Sequence, residues 1–384
     1  MSPSSTRSRI VGVDIARFVA LVGMMATHIL PGVQDGQVTL AQQVAGGRSS
    51  ALFAVLAGVS LVLVAGRRTP LEGRRWWGFF AGVLVRSLLV GLVGLALGEL
   101  DAGIAVILVY YAVLFLVATP FLAMPTRLLA ATTALWVVAA PVASHLVRRD
   151  LPPTTYGVPS FVSFEEPLTL VRELVLTGYY PVLTWTAYVL VGVLLARMDL
   201  RAPRTPWWLV AGGLVAAGNA WAWSTLALER DGVRAELVRT FTGAGRLDSI
   251  DQTLAHGLYG VTPTGSWWWL AVRGPHTGTT FDLLMTAGSA AVVLGLALLL
   301  GRAAHRPTAV LFGGGAMTLT LYSLHVASRT DGWWDGDDLA TFLGQVLVAA
   351  AVGAGFAAAG RRGPLEWVVG RLSGAARRVV GGRS

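Results

Sequence analysis

Apolar residues run in long blocks along this chain, and each block is close to the length needed to cross a hydrocarbon core of roughly 30 Å. Ten blocks predict ten helices, near 10–30, 49–66, 77–98, 103–124, 127–147, 179–198, 206–227, 281–301, 308–328 and 339–360. The pattern predicts an all-α, polytopic membrane helix bundle spanning residues 1–384 as one integral domain, with 361–384 left over as a basic tail. That tail alternates Trp367, Val368 and Leu372 with Arg361, Arg362, Arg371, Arg377 and Arg378, an amphipathic pattern suited to an anionic membrane surface. Only two connections, 148–178 and 228–280, are long enough to fold over a site, and the second contains His256, Trp267, Trp268, Trp269 and His276. Three consecutive tryptophans beside an apolar span read first as headgroup anchors.

Polar residues interrupt the apolar blocks at a few places, where an ionisable group is costly unless it faces a partner or a cavity. In the first helix, Arg17 and His28 project about 20° apart around the axis, with Asp14 about 60° from Arg17 and 40° from His28, so all three share a face. That face carries His28 roughly 16 Å further along the helix than Arg17. Asp14 and Arg17 equally suit a simple i, i+3 ion pair, His28 a bond to a carbonyl, and Arg86 of the third helix a pairing with Asp14. In the ninth helix Thr318, Tyr322 and His325 form a second polar stripe, which could also be interhelical packing. The run His276-Thr277-Gly278-Thr279-Thr280 opens the eighth helix, where backbone donors can receive an anionic oxygen.

Composition agrees with the solvent implied by the pattern: 54% of residues are hydrophobic and 13% charged. The net charge of +9 is distributed rather than uniform. With both termini inside, the inside segments hold 18 Arg against three acidic residues and the outside segments 10 Arg against 17, Asp282 at the outer edge of the eighth block counted with them, the asymmetry that orients membrane proteins. The basic balance therefore points to topology in a cell (inner) membrane and gives no reason to expect a nucleic-acid partner. Every basic residue among the 30 is Arg, and no Cys is present, which removes disulfides, thiolate nucleophiles and cysteine metal sites. No phosphate-binding Gly-rich loop, His-Glu-x-x-His or Gly-x-Ser-x-Gly motif occurs, and no metal is expected.

Several stretches resemble, in order, the YeiB-like and heparan-α-glucosaminide N-acetyltransferase-like family of bacterial transmembrane acyltransferases. They are Arg9-Ile-Val-Gly-Val-Asp14-Ile-Ala-Arg17, Arg48 through Ser60, Val109-Tyr110-Tyr111 through Pro120, Tyr180-Pro181 through Trp185, Pro275-His276-Thr-Gly-Thr, Gly315 through Tyr322, and Gly363-Pro-Leu-Glu-Trp367. The resemblance implies an acetyl group taken from acetyl-CoA on one side of the membrane and passed to a sugar amine on the other, through a histidine beyond the first helix. Here the loop Pro31 to Gly47 has no histidine, and His28 is the nearest imidazole.

These readings combine into one expectation. Acetyl-CoA or another acyl-CoA enters from the cytoplasmic side, its phosphates meeting Arg67, Arg68, Arg74 or Arg75, with Asp14, Arg17 and Arg86 along the entrance. His28 serves as general base or acyl carrier, Arg48 or His276 stabilises the oxyanion, and His325 orients or relays to His28. The partners are the lipid bilayer, acyl-CoA and an outward-facing envelope glycan or glycolipid; assembly into a homo-oligomer is open. The alternatives are a small-molecule or proton-coupled transporter, whose proton path would use the same stripes, and a non-catalytic membrane scaffold.

Overall fold

The structure, a computed structural model, describes residues 9–382 apart from 67–71, 153, 243–246, 331–332 and 335. It is built almost wholly from helices: α1 (Val11–Ile29), α2 (Leu40–Ala45), α3 (Arg48–Ala65), α4 (Gly73–Gly98), α5 (Leu108–Ala118), α6 (Thr126–Val147), α7 (Pro167–Arg172), α8 (Val182–Arg197), α9 (Thr205–Leu228), α10 (Val233–Arg239), α11 (Ile250–His256), α12 (Thr280–Ala303), α13 (His305–Leu311), α14 (Thr318–Ala327), α15 (Asp338–Ala358) and α16 (Pro364–Gly381). One two-stranded hairpin, β1 (Val33–Gln34) and β2 (Gln37–Val38), follows α1, turned at Asp35-Gly36, both with positive φ.

Each of the ten apolar blocks is helical over at least part of its length, and the chain carries several membrane-length apolar helices. Among the described residues six segments are long and apolar enough to cross a bilayer unaided, or seven if the segment 167–197, bent by 51°, counts as one span. Two blocks depart from the expectation for local reasons. The block near 103–124 becomes helical only at Leu108, because 99–107 runs as irregular backbone whose polar groups are met by side chains: Tyr180 Oη donates to Ala105 O (3.1 Å) and Ile107 N donates to Tyr322 Oη (3.4 Å). The block near 308–328 is broken into α13 and α14 by the turn Gly313–Ala316. Helix α9 is continuous, and Trp207, Trp208, Trp221 and Trp223 give it a fringe of exposed indoles.

Helix α1 is the axis of the bundle, packed against α3, α12 and α15 and against the break between α13 and α14. Close approach is made by glycine at the tightest crossings. A Cβ on Gly58 of α3 would lie 2.0 Å from Val189 O of α8, and one on Gly192 of α8 would lie 1.9 Å from Val55 O. In the break, a Cβ on Gly315 would lie 1.8 Å from Asp14 O, so the turn can seat against α1 only without a side chain there.

The two ends of the bundle differ. At one end Arg9, Arg201, Arg302 and His305 surround a cleft between the start of α1, the α8–α9 turn and the end of α12. The opposite end carries His28 and His325, and the described parts of the connections 148–178 and 229–279, the second of which bears His276, form a lid there. The lid has its own small core of Leu228, Val233, Leu237, Ile250, Leu254, Leu258, Trp269 and Val272. Trp269 is 0% exposed and donates Nε1–H to Thr240 Oγ1 at 3.0 Å. The headgroup-anchor reading therefore fails for this indole, which is the lid's central packing residue. Trp267 stacks on His145 (4.9 Å between centroids), with the Arg149 guanidinium over its ring.

The basic tail forms α16, which lies along α4 and returns to the bundle. Glu366 pins its start to α14, accepting from Thr320 N (3.1 Å) and Thr320 Oγ1 (2.6 Å), and Arg377 Nη1 donates to Val64 O (2.8 Å).

Candidate functional site

The same-face spacing of Asp14, Arg17 and His28 on α1 sets the long dimension of the site. Near the basic end, Asp14 accepts from Arg9 Nε and, at 3.4 Å, from Arg17 Nη1, while Arg17 Nη2 donates to Ser60 Oγ. Asp14 is thus a buried ion-pair centre, and its partners are Arg9 and Arg17. Arg86 pairs with neither Asp14 nor any other carboxylate among the described residues, and instead lines a cavity beside Arg17.

This cavity, about 310 Å³, runs between α1, α3, α4, α5, α14 and α16. Its mouth holds Arg17, Arg86, Arg362 and Glu366; its walls are apolar, with Phe53, Leu56, Val90, Phe115 and Leu319; its inner end is closed by Met24, Tyr111 and Tyr322. Thr318 and Tyr322, the stripe on the ninth apolar block, both face it. Arg74 and Arg75, at the exposed start of α4, do not line it, and Arg67 and Arg68 lie outside the described residues.

One helical turn beyond Met24 and Tyr322, about 6 Å by helical rise, the same two helices bring two imidazoles together. His28 Nδ1 lies 3.0 Å from His325 Nε2 with the rings nearly parallel, at 8°. His325 Nδ1 lies 2.6 Å from Gln345 Oε1 of α15. An amide oxygen can only accept, so His325 carries its proton on Nδ1 and accepts at Nε2; His28 then donates from Nδ1 and keeps a lone pair on Nε2. The chain Gln345, His325, His28 therefore ends in a basic nitrogen. Gln345 Nε2 is buried without a partner.

Two further cations or imidazoles stand within electrostatic reach of His28: His276 and Arg329, the latter also reaching His325. Arg329 follows α14, and its Nε is buried without a hydrogen-bond partner. His276 has φ +55°, a strained conformation for a non-glycine residue, and is held between Trp185 (6.1 Å, stacked) and Tyr180 (5.7 Å, edge-on). Burial, with a smaller contribution from His256, pushes its pKa down to about 4, so the ring is neutral around pH 7. Arg48 sits at the start of α3 and donates to Gln43 O, and no hydrogen bond joins it to the three histidines.

Gln345, Arg329, Arg362 and Glu366 escaped the sequence reading. Gln345 is a single amide in an apolar helix, with nothing periodic to mark it. Arg362 and Glu366 sat in a tail read as surface. Among the described residues no group of three His, Asp or Glu side chains is placed to hold a metal.

These features define a polytopic membrane protein with a hydrogen-bonded histidine pair above an arginine-mouthed cavity. The chain belongs to the heparan-alpha-glucosaminide N-acetyltransferase catalytic family, whose model matches residues 9–218. The match takes in α1, α3, the lining of the cavity from α4 and α5, and most of α9; it ends before His276, His325 and Gln345. No curated protein matches the chain. The family implies acetyl transfer with an acetyl-CoA donor.

Proposed function

We propose that the protein moves an acetyl group from cytoplasmic acetyl-CoA to an amine or hydroxyl of a cell-envelope glycan or glycolipid on the far side of the inner membrane. The observation that carries this reading is the Gln345–His325–His28 chain one helical turn above a cavity whose mouth is arginine and whose walls are apolar. The arginine-rich end is the cytoplasmic one by the charge asymmetry of the chain.

The residues suit the donor. Arg17, Arg86 and Arg362 would meet the phosphates, and the apolar walls would take the pantetheine arm. The acetyl thioester then extends past Met24, an unbranched side chain able to give way, toward His28. His28 Nε2 accepts the proton of the acceptor as its oxygen or nitrogen attacks the thioester carbonyl. Arg329 stabilises the oxyanion of the tetrahedral intermediate. Collapse breaks the C–S bond, and the proton held on His28 passes to the departing thiolate, giving CoA and the acetylated acceptor. His325, fixed by Gln345, holds the tautomer that makes His28 a base and supports the imidazolium that forms. His276, neutral and strained beside Tyr180 and Trp185, forms the acceptor side of the site.

Incubation of the purified protein with radiolabelled acetyl-CoA and an envelope glycolipid extract tests this. Wild type gives a labelled glycolipid, and His28→Ala lowers its formation on the order of 10²–10⁴-fold. Undiminished transfer by His28→Ala removes the histidine from the mechanism. A second reading, solute transport, draws on the broken helix at Gly313–Ala316 and the 51° bend before α8, features found in transporters. Solute flux in liposomes without labelled product would favour it.

A further inference from the structure

A second cavity lies in the lid, separate from the arginine-mouthed one. It encloses about 290 Å³ between the connection that follows α6 and the segment 258–264. Its character is unlike that of the first. Two adjacent guanidiniums, Arg148 and Arg149, line it together with Tyr156, Tyr259, Phe241 and Thr177.

The arginines are held in place but not neutralised. Arg148 donates to Ser144 Oγ (3.0 Å) and to Thr262 O (2.6 Å), and Arg149 Nη2 lies 3.3 Å from His145 Nε2 while its guanidinium covers Trp267. Among the described residues neither forms an ion pair with a carboxylate. The buried carboxylate of Glu173 is held instead by Thr155, through its backbone N–H and its hydroxyl. The Thr177 hydroxyl, on a residue 3% exposed, is buried without a hydrogen-bond partner at the cavity wall. The aromatic side is a cluster in which Tyr156, Tyr179 and Tyr259 meet pairwise at 5.9 to 6.3 Å. Faces of this kind pack against the C–H faces of sugar rings, while paired guanidiniums match phosphate oxygens.

The cavity is also connected to the histidines by covalent neighbours. Tyr259 precedes Gly260, whose N–H donates to His276 O at 2.9 Å, and Tyr179 precedes Tyr180, which packs edge-on against His276. A ligand seated against Tyr259 therefore lies one residue from the segment that positions His276.

We propose that this lid cavity is the acceptor subsite and that it selects a phosphorylated saccharide, the phosphate on Arg148 and Arg149 and the sugar ring against Tyr156 and Tyr259. The assignment rests on the transferase reading for the word acceptor, but the binding site stands on its own contacts. Two sources supply the same chemistry, a free sugar phosphate and a lipid whose headgroup is a glycosyl phosphate.

Binding is measured first, without acetyl-CoA, on the full-length protein in detergent, with tryptophan fluorescence as readout because Trp267 lies under Arg149. The probes are glucosamine, glucosamine 1-phosphate, inorganic phosphate and a short-chain prenyl-phosphate glucosamine. Both phosphorylated sugars bind at least about tenfold more tightly than glucosamine. Arg149→Gln, an exposed position, removes that difference, Arg149→Lys restores part of it, and Tyr259→Ala weakens the sugar-bearing probes while leaving inorganic phosphate unchanged. The prenyl form binding more tightly than the free sugar phosphate identifies the lipid headgroup as the source; equal affinities identify the soluble one. Equal affinity for glucosamine and its phosphate, or an unchanged preference in Arg149→Gln, overturns the subsite. Acetyl transfer is then assayed with the same probes. Phosphate-selective binding with no transfer to any acceptor overturns the transferase reading and leaves the subsite; transfer to the phosphorylated sugars at a rate Arg149→Gln does not change overturns the subsite and leaves the transferase.

Discussion

Gln345 decides which nitrogen of His28 is basic, although it touches neither substrate in the proposed reaction. Replacing it with Leu removes the acceptor from His325 Nδ1 and frees both rings to exchange tautomers. The expected result is a fall in kcat on the order of 10²-fold with little change in KM for acetyl-CoA, measured by steady-state kinetics. Gln345→Glu retains an acceptor and adds a charge, so it keeps more activity than the Leu variant and moves the acidic limb of the pH profile upward. The residue was illegible in sequence because an isolated amide has no spacing to recognise. His28 and His325 were legible because helical periodicity placed each on a polar face, and their meeting at 3.0 Å needed only those two faces to turn toward one another. Titration gives a separate prediction. Burial holds His276 down at about 4 and lowers His256 as well, whereas both titrate near 6.5 in an unfolded chain. The unfolded chain binds more protons in that interval, so stability is retained above about 6.5 and lost as pH falls toward 4. Thermal melts in detergent should therefore move to lower temperature between pH 7.5 and 4.5, and His276→Gln should flatten the trend.

At the scale of elements, hydropathy located the helices but not their interruptions. Gly313, Gly314 and Gly315 are visible as a triplet, yet the apolar residues on both sides hide the break they create. The reason for the break is the neighbour: the chain passes Asp14 O so closely that Gly315 has no room for a side chain. The irregular 99–107 segment escaped notice because its partners, Tyr180 and Tyr322, come from distant parts of the chain. The α3–α8 crossing offers a sharp test. Gly58→Val places a side chain where Val189 O already lies, so the cost should exceed the ~1–3 kcal/mol of ordinary overpacking, seen as lost expression or a much lower melting temperature. Helix α1 offers the complementary one. Met24→Trp fills the inner end of the arginine-mouthed cavity, and kcat/KM for acetyl-CoA should fall at least tenfold while sugar-phosphate binding at the lid is preserved.

For the whole molecule, the distribution of arginine predicts that both termini lie on one side. The absence of cysteine makes the measurement direct, since any introduced thiol is unique. Ser373→Cys on α16 should react with a membrane-impermeant maleimide only when the cytoplasmic face is exposed, and Thr242→Cys in the lid only from the other face. Labelling of both from one side would refute the orientation.

The separation between the two cavities has a kinetic meaning as well. One helix, α1, runs from the arginine mouth to His28, and the lid cavity is lined by Tyr259, next to the Gly260 that donates to His276 O. In the proposed reaction donor and acceptor would thus approach by different doors, neither occupying the other's path. Product inhibition should carry that imprint: CoA competitive with acetyl-CoA, yet noncompetitive with the saccharide, the signature of a ternary complex in which a thioester and a sugar sit together across the thickness of a membrane.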